Sequence, residues 1–245
     1  MDSIQITAAN ELINQGKFKK AKKILSSCKS DKNALFLLSK CYKSENNVLE
    51  SVSCLEYALK IDPDYDLALF EIALLHKSLN NYESAVNAFH SFLKIQPDVY
   101  EAYFNLGNLY RDYNELDQAI DAYKKALELN KSDYEVYTNL SDVLITKGLF
   151  KEAEVFCQKA FSLNQNDPRI SNNAGFLQLE SKNFNSAIQA FEYSLKLDAN
   201  NFFAKKNLGE IFLLMGRHQD ALNLIYSATG KISFNNNHNG ASFDD

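Results

Sequence analysis

The sequence repeats itself every 34 residues, and this period constrains the fold more than any other feature. The segments EAYFNLGNLYRDYNELDQAIDAYKKALELN (101–130) and EVYTNLSDVLITKGLFKEAEVFCQKAFSLN (135–164) align without an insertion or deletion. A period of this length is typical of helix-turn-helix units that each pack on their neighbours. We therefore expect an array of stacked helical hairpins.

Taking Tyr100 as position 1 of a unit divides the chain into about seven repeats, of which the first is short and the last is incomplete. The predicted repeats are 2–31, 32–65, 66–99, 100–133, 134–167, 168–201 and 202–231. An Asn-rich segment, 232–245, follows them and is too short to form a domain. We expect it to be a flexible tail.

Two positions of the repeat hold small residues in every unit. Position 8, on the first helix, is Ala9, Ser39, Ala73, Gly107, Ser141, Gly175 and Gly209. Position 20, on the second helix, is Ala21, Ser51, Ala85, Ala119, Ala153, Ala187 and Ala221. The side chains at a helix contact set the distance between the helix axes. We therefore expect these two columns to face each other at a close approach within each hairpin.

The turns between the helices carry a second signature. Position 15 is Gly16, Asn46, Asn80, Asn114, Gly148, Lys182 and Gly216. Glycine and asparagine tolerate the left-handed backbone conformation that ends many helices, so Lys182 is expected to strain its turn. Pro63 and Pro97 follow second helices, where proline stops a helix, and Pro168 is placed to open one.

These columns resemble the tetratricopeptide repeat family, most closely in 100–133. The family's signature positions in that unit are filled by Tyr103, Leu106, Gly107, Tyr110, Ala119, Tyr123 and Ala126. The family's proline column is met by Pro63 and Pro97, whereas this unit has Lys131 there. The resemblance covers about 2–231. It implies an all-α, right-handed α-solenoid whose first helices line a concave groove and whose second helices form the convex back.

In this family the groove is built mainly from positions 2, 5, 6, 9, 12 and 13 of the first helix. Position 6 holds one asparagine in four successive repeats, Asn105, Asn139, Asn173 and Asn207. A carboxamide can both donate and accept, so this ladder could bond the backbone of an extended peptide. It resembles the ladder of O-linked N-acetylglucosamine transferases. Alternatively, duplication copied an asparagine that faces water. Nearby groove positions are polar: Asn108, Asp142 and Asn172.

The N-terminal half of the predicted groove differs in chemistry. Position 5 holds Phe36, Phe70 and Phe104. An exposed strip of these rings would suit an amphipathic helix or an apolar peptide, whereas rings tucked between repeats would be core. Position 12 holds Lys43, Lys77 and Arg111, which form either a basic ledge for an acidic ligand or a solvated face. The carboxylate clamp of chaperone-binding family members is not assembled.

Composition narrows the classes of partner. The formal net charge is −5 and the pI is near 5.5, so nucleic acid is an unexpected partner. The sequence holds no run of eighteen apolar residues and no basic start followed by an apolar stretch, which predicts a cytoplasmic protein without a membrane partner. Its four cysteines are too widely spaced for a disulfide framework or zinc site, so we expect core thiols, namely Cys28, Cys41, Cys54 and Cys157.

No phosphate-binding loop, nucleophile motif or pair of metal-spaced histidines interrupts the repeats. We therefore expect a non-catalytic scaffold without a cofactor, which binds a peptide or helix in its groove. A substrate-recognition module of a glycosyltransferase is the alternative. A third possibility is self-association through the last hairpin, which lacks a cap, so that Leu222, Leu224 and Ile225 would be partly exposed unless Ile232 and Phe234 cover them.

Overall fold

The computed structural model describes residues 2–230, which form fourteen α-helices joined by short turns and no strand. The helices are α1 (Asp2–Asn14), α2 (Phe18–Leu25), α3 (Lys32–Ser44), α4 (Val48–Ile61), α5 (Asp66–Ser78), α6 (Tyr82–Ile95), α7 (Tyr100–Asp112), α8 (Leu116–Leu129), α9 (Tyr134–Thr146), α10 (Phe150–Leu163), α11 (Pro168–Glu180), α12 (Phe184–Leu197), α13 (Phe202–Leu214) and α14 (His218–Thr229). The predicted α-solenoid class is confirmed. The predicted tail lies outside the described residues.

The helices belong to two compact units: the first unit holds α1 to α7 and ends at Tyr113, and the second unit begins at Asn114 and holds α8 to α14. In each unit every helix packs on the next one along the chain. In the first unit α1 also contacts α3, and in the second unit α11 contacts both α9 and α13. The first helices of successive hairpins therefore lie side by side.

Close helix approach at the two small columns holds together the hairpins within each unit. All fourteen residues of these columns are buried. In one hairpin the Ser51 hydroxyl donates to the Ser39 carbonyl at 3.0 Å, which shows directly that the columns face each other. A Cβ added to Gly175 would lie only 2.7 Å from Phe191 Cε1, so this glycine leaves no room for a side chain.

The predicted left-handed turns are confirmed in all seven repeats. The φ angles are +71° at Gly16, +57° at Asn46, +57° at Asn80, +60° at Asn114, +77° at Gly148, +60° at Lys182 and +75° at Gly216. Lys182 has a Cβ that crowds the backbone in this region, which glycine lacks, and it has no short polar side chain that could bond the nearby backbone as asparagine can. The predicted strain therefore lies in the turn between α11 and α12.

The four cysteines are free and buried, as predicted. Burial raises the pKa of the Cys41 and Cys157 thiols to about 11, so both stay protonated at neutral pH. Across residues 2–230 no group of three or more His, Cys, Asp or Glu side chains could hold a metal ion. None of the helices that the structure describes is long and apolar enough to cross a membrane.

Lys182→Gly should stabilise the protein, because glycine adopts the φ of +60° without the steric penalty of lysine. We expect a gain of about 1 kcal/mol in the free energy of unfolding, measured by urea denaturation. Gly148→Lys is the matched control, since it places lysine in the equivalent turn and should lose a similar amount. Equal stability of Lys182→Gly and the parent would contradict the assignment of strain.

Gly175→Val should destabilise the hairpin of α11 and α12, because the new side chain collides with the ring of Phe191. Overpacking of this kind costs about 1–3 kcal/mol. Adding Phe191→Leu removes the obstructing ring edge and should recover part of the loss. Thermal unfolding followed by circular dichroism measures both effects. No recovery in the double variant would show that the glycine is needed for some other reason.

His76 should make stability fall as the pH is lowered. Its Nδ1 is buried without a hydrogen-bond partner, and burial lowers its pKa, while Glu56 acts in the opposite direction. Below the ordinary histidine pKa of about 6.5 the unfolded chain takes up a proton more readily than the folded one, and this difference lowers the free energy of unfolding.

His76→Phe removes this group while filling a similar volume. We expect the variant to lose less unfolding free energy than the parent between about pH 7.5 and pH 5, measured by urea denaturation at each pH. Above pH 7.5 the imidazole is neutral in both the folded and the unfolded state, so the free energy of unfolding should change with pH to a similar extent in the two proteins. Identical losses on acidification would show that His76 does not contribute to acid sensitivity.

Candidate functional site

Asn105, the first asparagine of the predicted ladder, is already engaged within the first unit. Its Oδ1 accepts a hydrogen bond from Lys77 Nζ at 2.8 Å, and its Nδ2 donates to the Glu101 carbonyl at 2.8 Å. Lys77 lies in α5 and Asn105 in α7. The carboxamide therefore bridges two successive first helices, a role that neither alternative of the sequence analysis included.

The same bridge occurs one repeat earlier with a different acceptor. Lys43, at position 12 of α3, pairs with Glu71, at position 6 of α5. Both pairs join residues 28 apart in the chain, so position 12 of one repeat meets position 6 of the next. A search for complementary side chains at this separation would have found the bridge in the sequence.

The predicted basic ledge of position 12 is interrupted by ion pairs. Lys43 pairs with Glu71, and Arg111 pairs with Asp112 with a distance of 2.8 Å from Nη2 to Oδ1. These two cations have carboxylate partners, so a continuous basic ledge is not formed. Lys77 differs from them because the group that accepts its hydrogen bond is an uncharged amide.

In the second unit, position 12 is aliphatic, with Ile145 in α9 and Leu179 in α11. No cation therefore reaches the position-6 asparagines of α11 and α13 from the preceding repeat. Asn173 is only 6% exposed and Asn207 is half-buried, yet neither carboxamide makes a hydrogen bond within the described part of the chain. Both amides keep all their donors and acceptors available.

Asn139 is intermediate between the two situations. It is 6% exposed, and its Oδ1 accepts a long hydrogen bond of 3.4 Å from Arg169 Nη1. Arg169 is held more tightly by Asp167, with 2.6 Å between Nη2 and Oδ2. The remaining polar groove positions vary in exposure: Asp142 is exposed, Asn108 and Asn172 are half-buried, and the Asn172 Oδ1 atom is buried without a partner.

The phenylalanines of position 5 pack between helices to different degrees. Phe36 is 8% exposed and meets Tyr65 edge to face, with 5.8 Å between ring centroids. The ring centroids of Phe70 and Phe92 lie 5.0 Å apart, and Phe92 is itself buried. Phe104 is half-buried. At Phe36 and Phe70 this packing favours the core alternative over an exposed strip.

The last hairpin, α13 and α14, leaves several apolar side chains exposed. Leu214 and Tyr226 are 72% and 59% exposed, and Leu222 and Leu224 are half-buried. The expected exposure is wrong for Ile225, which is 1% exposed and lies over Gly209. The suggested cover, Ile232 and Phe234, lies outside the described residues.

Comparison with solved structures finds helical-repeat proteins of low sequence identity. PilF of Pseudomonas aeruginosa has a TM-score of 0.68 and 16% identity, over 85% of this chain and 97% of that one. YrrB, described as a TPR protein with an unusual peptide-binding site, has a TM-score of 0.60 and 22% identity, over 73% of this chain and 92% of that one. MamA of Desulfovibrio magneticus RS-1 has a TM-score of 0.60 and 19% identity, over 66% of this chain and 94% of that one. At these identities the likeness shows the fold alone.

Comparison with curated protein sequences gives no match. Family models described as tetratricopeptide repeat match residues 33–65, 67–98, 100–133 and 134–167. These segments cover more than half of the sequence and contain helices α3 to α10 except Lys32 and Asp66, the first residues of α3 and α5. The chain therefore belongs to the tetratricopeptide repeat family.

Proposed function

We propose that this protein is a protein-interaction scaffold and that its second unit holds an extended peptide along the first helices α9, α11 and α13. The observation that carries this proposal is the unused hydrogen-bonding capacity of Asn173 and Asn207. The polar atoms of both side chains reach solvent rather than being fully buried, so a ligand backbone that supplies a donor and an acceptor can replace the water bound there.

The spacing of the helices suits an extended chain. Neighbouring helices pack about 10 Å apart and an extended peptide advances about 3.3 Å per residue, so one asparagine would serve about three ligand residues. Asn139 already accepts a hydrogen bond from Arg169, so it is not one of the main contacts of this proposal. Asn105 would have to release Lys77 and Glu101 first, so we place it outside the main binding surface.

Two further observations bear on the class of ligand. The net charge of −5 argues against nucleic acid, and the described peptide-binding site of YrrB shows what a related fold can do. The likeness of the ladder to that of O-linked N-acetylglucosamine transferases stays a hypothesis based on the asparagines alone.

Self-association is the second candidate, favoured by the exposure of Leu214 and Tyr226 in the last hairpin. The free, buried thiols suit a reducing, cytoplasmic setting.

The double substitution Asn173→Ala and Asn207→Ala should weaken peptide binding. Peptides would be selected on the parent protein from a displayed library of twelve-residue sequences, and affinities measured by fluorescence polarisation. We expect a loss of about tenfold per asparagine, since each loses one or two hydrogen bonds worth about 1 kcal/mol apiece. Methylating the backbone nitrogens of a selected peptide should weaken binding in the same way.

Asn185→Ala and Asn223→Ala form the matched control, because these exposed asparagines lie on the second helices α12 and α14. The control variant should bind with the parent's affinity. The proposal fails if the library yields no binder, or if the affinity of selected peptides is the same for the parent and the Asn173, Asn207 variant.

A further inference from the structure

A cavity of about 370 Å³ opens in the first unit where α5 and α7 end. Leu74 and Leu109 are apolar residues of its lining, and Lys77 and Asp112 are the charged ones. Tyr113 also lines the cavity and is held in place, because its hydroxyl donates to the Asn80 carbonyl at 3.0 Å. This part of the lining is therefore held in place, and the volume falls within the size range of ligand pockets, roughly 300–1,000 Å³.

Lys77 brings a positive charge to this cavity without a bonded counter-ion. Its Nζ donates to the neutral Asn105 oxygen, whereas the equivalent Lys43 pairs with the Glu71 carboxylate. Burial lowers the pKa of Lys77, while the charge of Asp112 acts in the opposite direction. A partly desolvated ammonium gains most from a direct carboxylate partner, because charge-assisted hydrogen bonds are about twice as strong as neutral ones.

Asp112 does not serve as that partner. Its Oδ1 accepts hydrogen bonds from Arg111 at 3.1 Å from Nε and 2.8 Å from Nη2. Lys77 and Asp112 form no ion pair, although both line the cavity. Arg111 bonds the Asp112 carboxylate directly, whereas Asp112 acts on Lys77 only through its charge, so the Lys77 ammonium has no directly bonded carboxylate.

We propose that this cavity binds the side chain of a glutamate in a peptide partner, with the carboxylate on Lys77 Nζ and the aliphatic stem between Leu74 and Leu109. The two apolar walls favour a carboxylate on a hydrocarbon stem over a free inorganic anion. The site lies wholly in the first unit. It therefore does not depend on Asn173 and Asn207 or on the peptide surface proposed for the second unit.

The test uses the full chain labelled with ¹⁵N and titrated with acetyl-Leu-Glu-Leu-amide. Acetyl-Leu-Gln-Leu-amide is the uncharged match, and sodium acetate tests for a general carboxylate site. We expect the glutamate peptide to bind about fivefold to tenfold more tightly than the glutamine peptide. The side-chain NH₂ signals of Asn105 should shift during the titration, because Lys77 is shared between Asn105 and the ligand.

Lys77→Met should abolish the preference for glutamate over glutamine, and Lys77→Arg, which keeps the charge, should retain it. Lys43→Met is the matched control, since this lysine holds the same repeat position but lies outside the cavity lining; it should retain the preference. The Asn173, Asn207 double variant should retain it as well. Circular dichroism checks that each variant is folded.

The proposal is overturned if the two peptides bind equally, if neither binds at millimolar concentration, or if Lys43→Met loses the preference to the same extent as Lys77→Met. An equal response of Asn105 to acetate would overturn the assignment to a peptide side chain. A failure of Asn173 and Asn207 to bind peptides, with the glutamate preference intact, would reject only the function proposed for the second unit.

Discussion

The close approach of two helices at positions 8 and 20 is the contact on which the rest of the structure depends. Alanine, serine or glycine occupies both positions in every repeat, and each of these residues is buried. A hairpin closed at this distance presents its large apolar residues to its neighbours, and repeats then stack by nearest-neighbour contacts. Within each unit the first helices lie side by side because its hairpins close in the same way.

Stacking at a fixed register turns one repeat position into a partner for another. In the first unit position 12 of one repeat meets position 6 of the next: Lys43 bonds Glu71, and Lys77 bonds Asn105. In the second unit aliphatic residues replace the lysines, so the asparagines of α11 and α13 lose that donor. A single change of residue type at position 12 therefore changes an asparagine from a bridge between helices into a group available to a ligand.

The two units thus present different chemistry on the same scaffold. The first unit combines a cavity, apolar walls and an incompletely compensated lysine, which suits a charged side chain. The second unit combines unpartnered amides with a neighbouring oxygen, Asn172 Oδ1, that is buried without a partner. Backbone recognition by amides tolerates many ligand sequences, whereas a charged cavity selects among them, so these sites would contribute affinity and selectivity by different means.

The sequence by itself determined the helical hairpins, their closest contacts and the conformation of their turns. These features follow from local requirements: a small side chain where helices meet, and a left-handed residue where a helix ends, which holds even for the unsuited Lys182. The tertiary structure decided which polar side chains are available. Whether Asn105 is bonded, Phe36 is covered or Lys77 lines a cavity depends on neighbours about one repeat away, and the identity of one residue does not reveal them. For that reason the ladder read from the sequence had four equal members, whereas packing distinguishes Asn105 and Asn139 from Asn173 and Asn207.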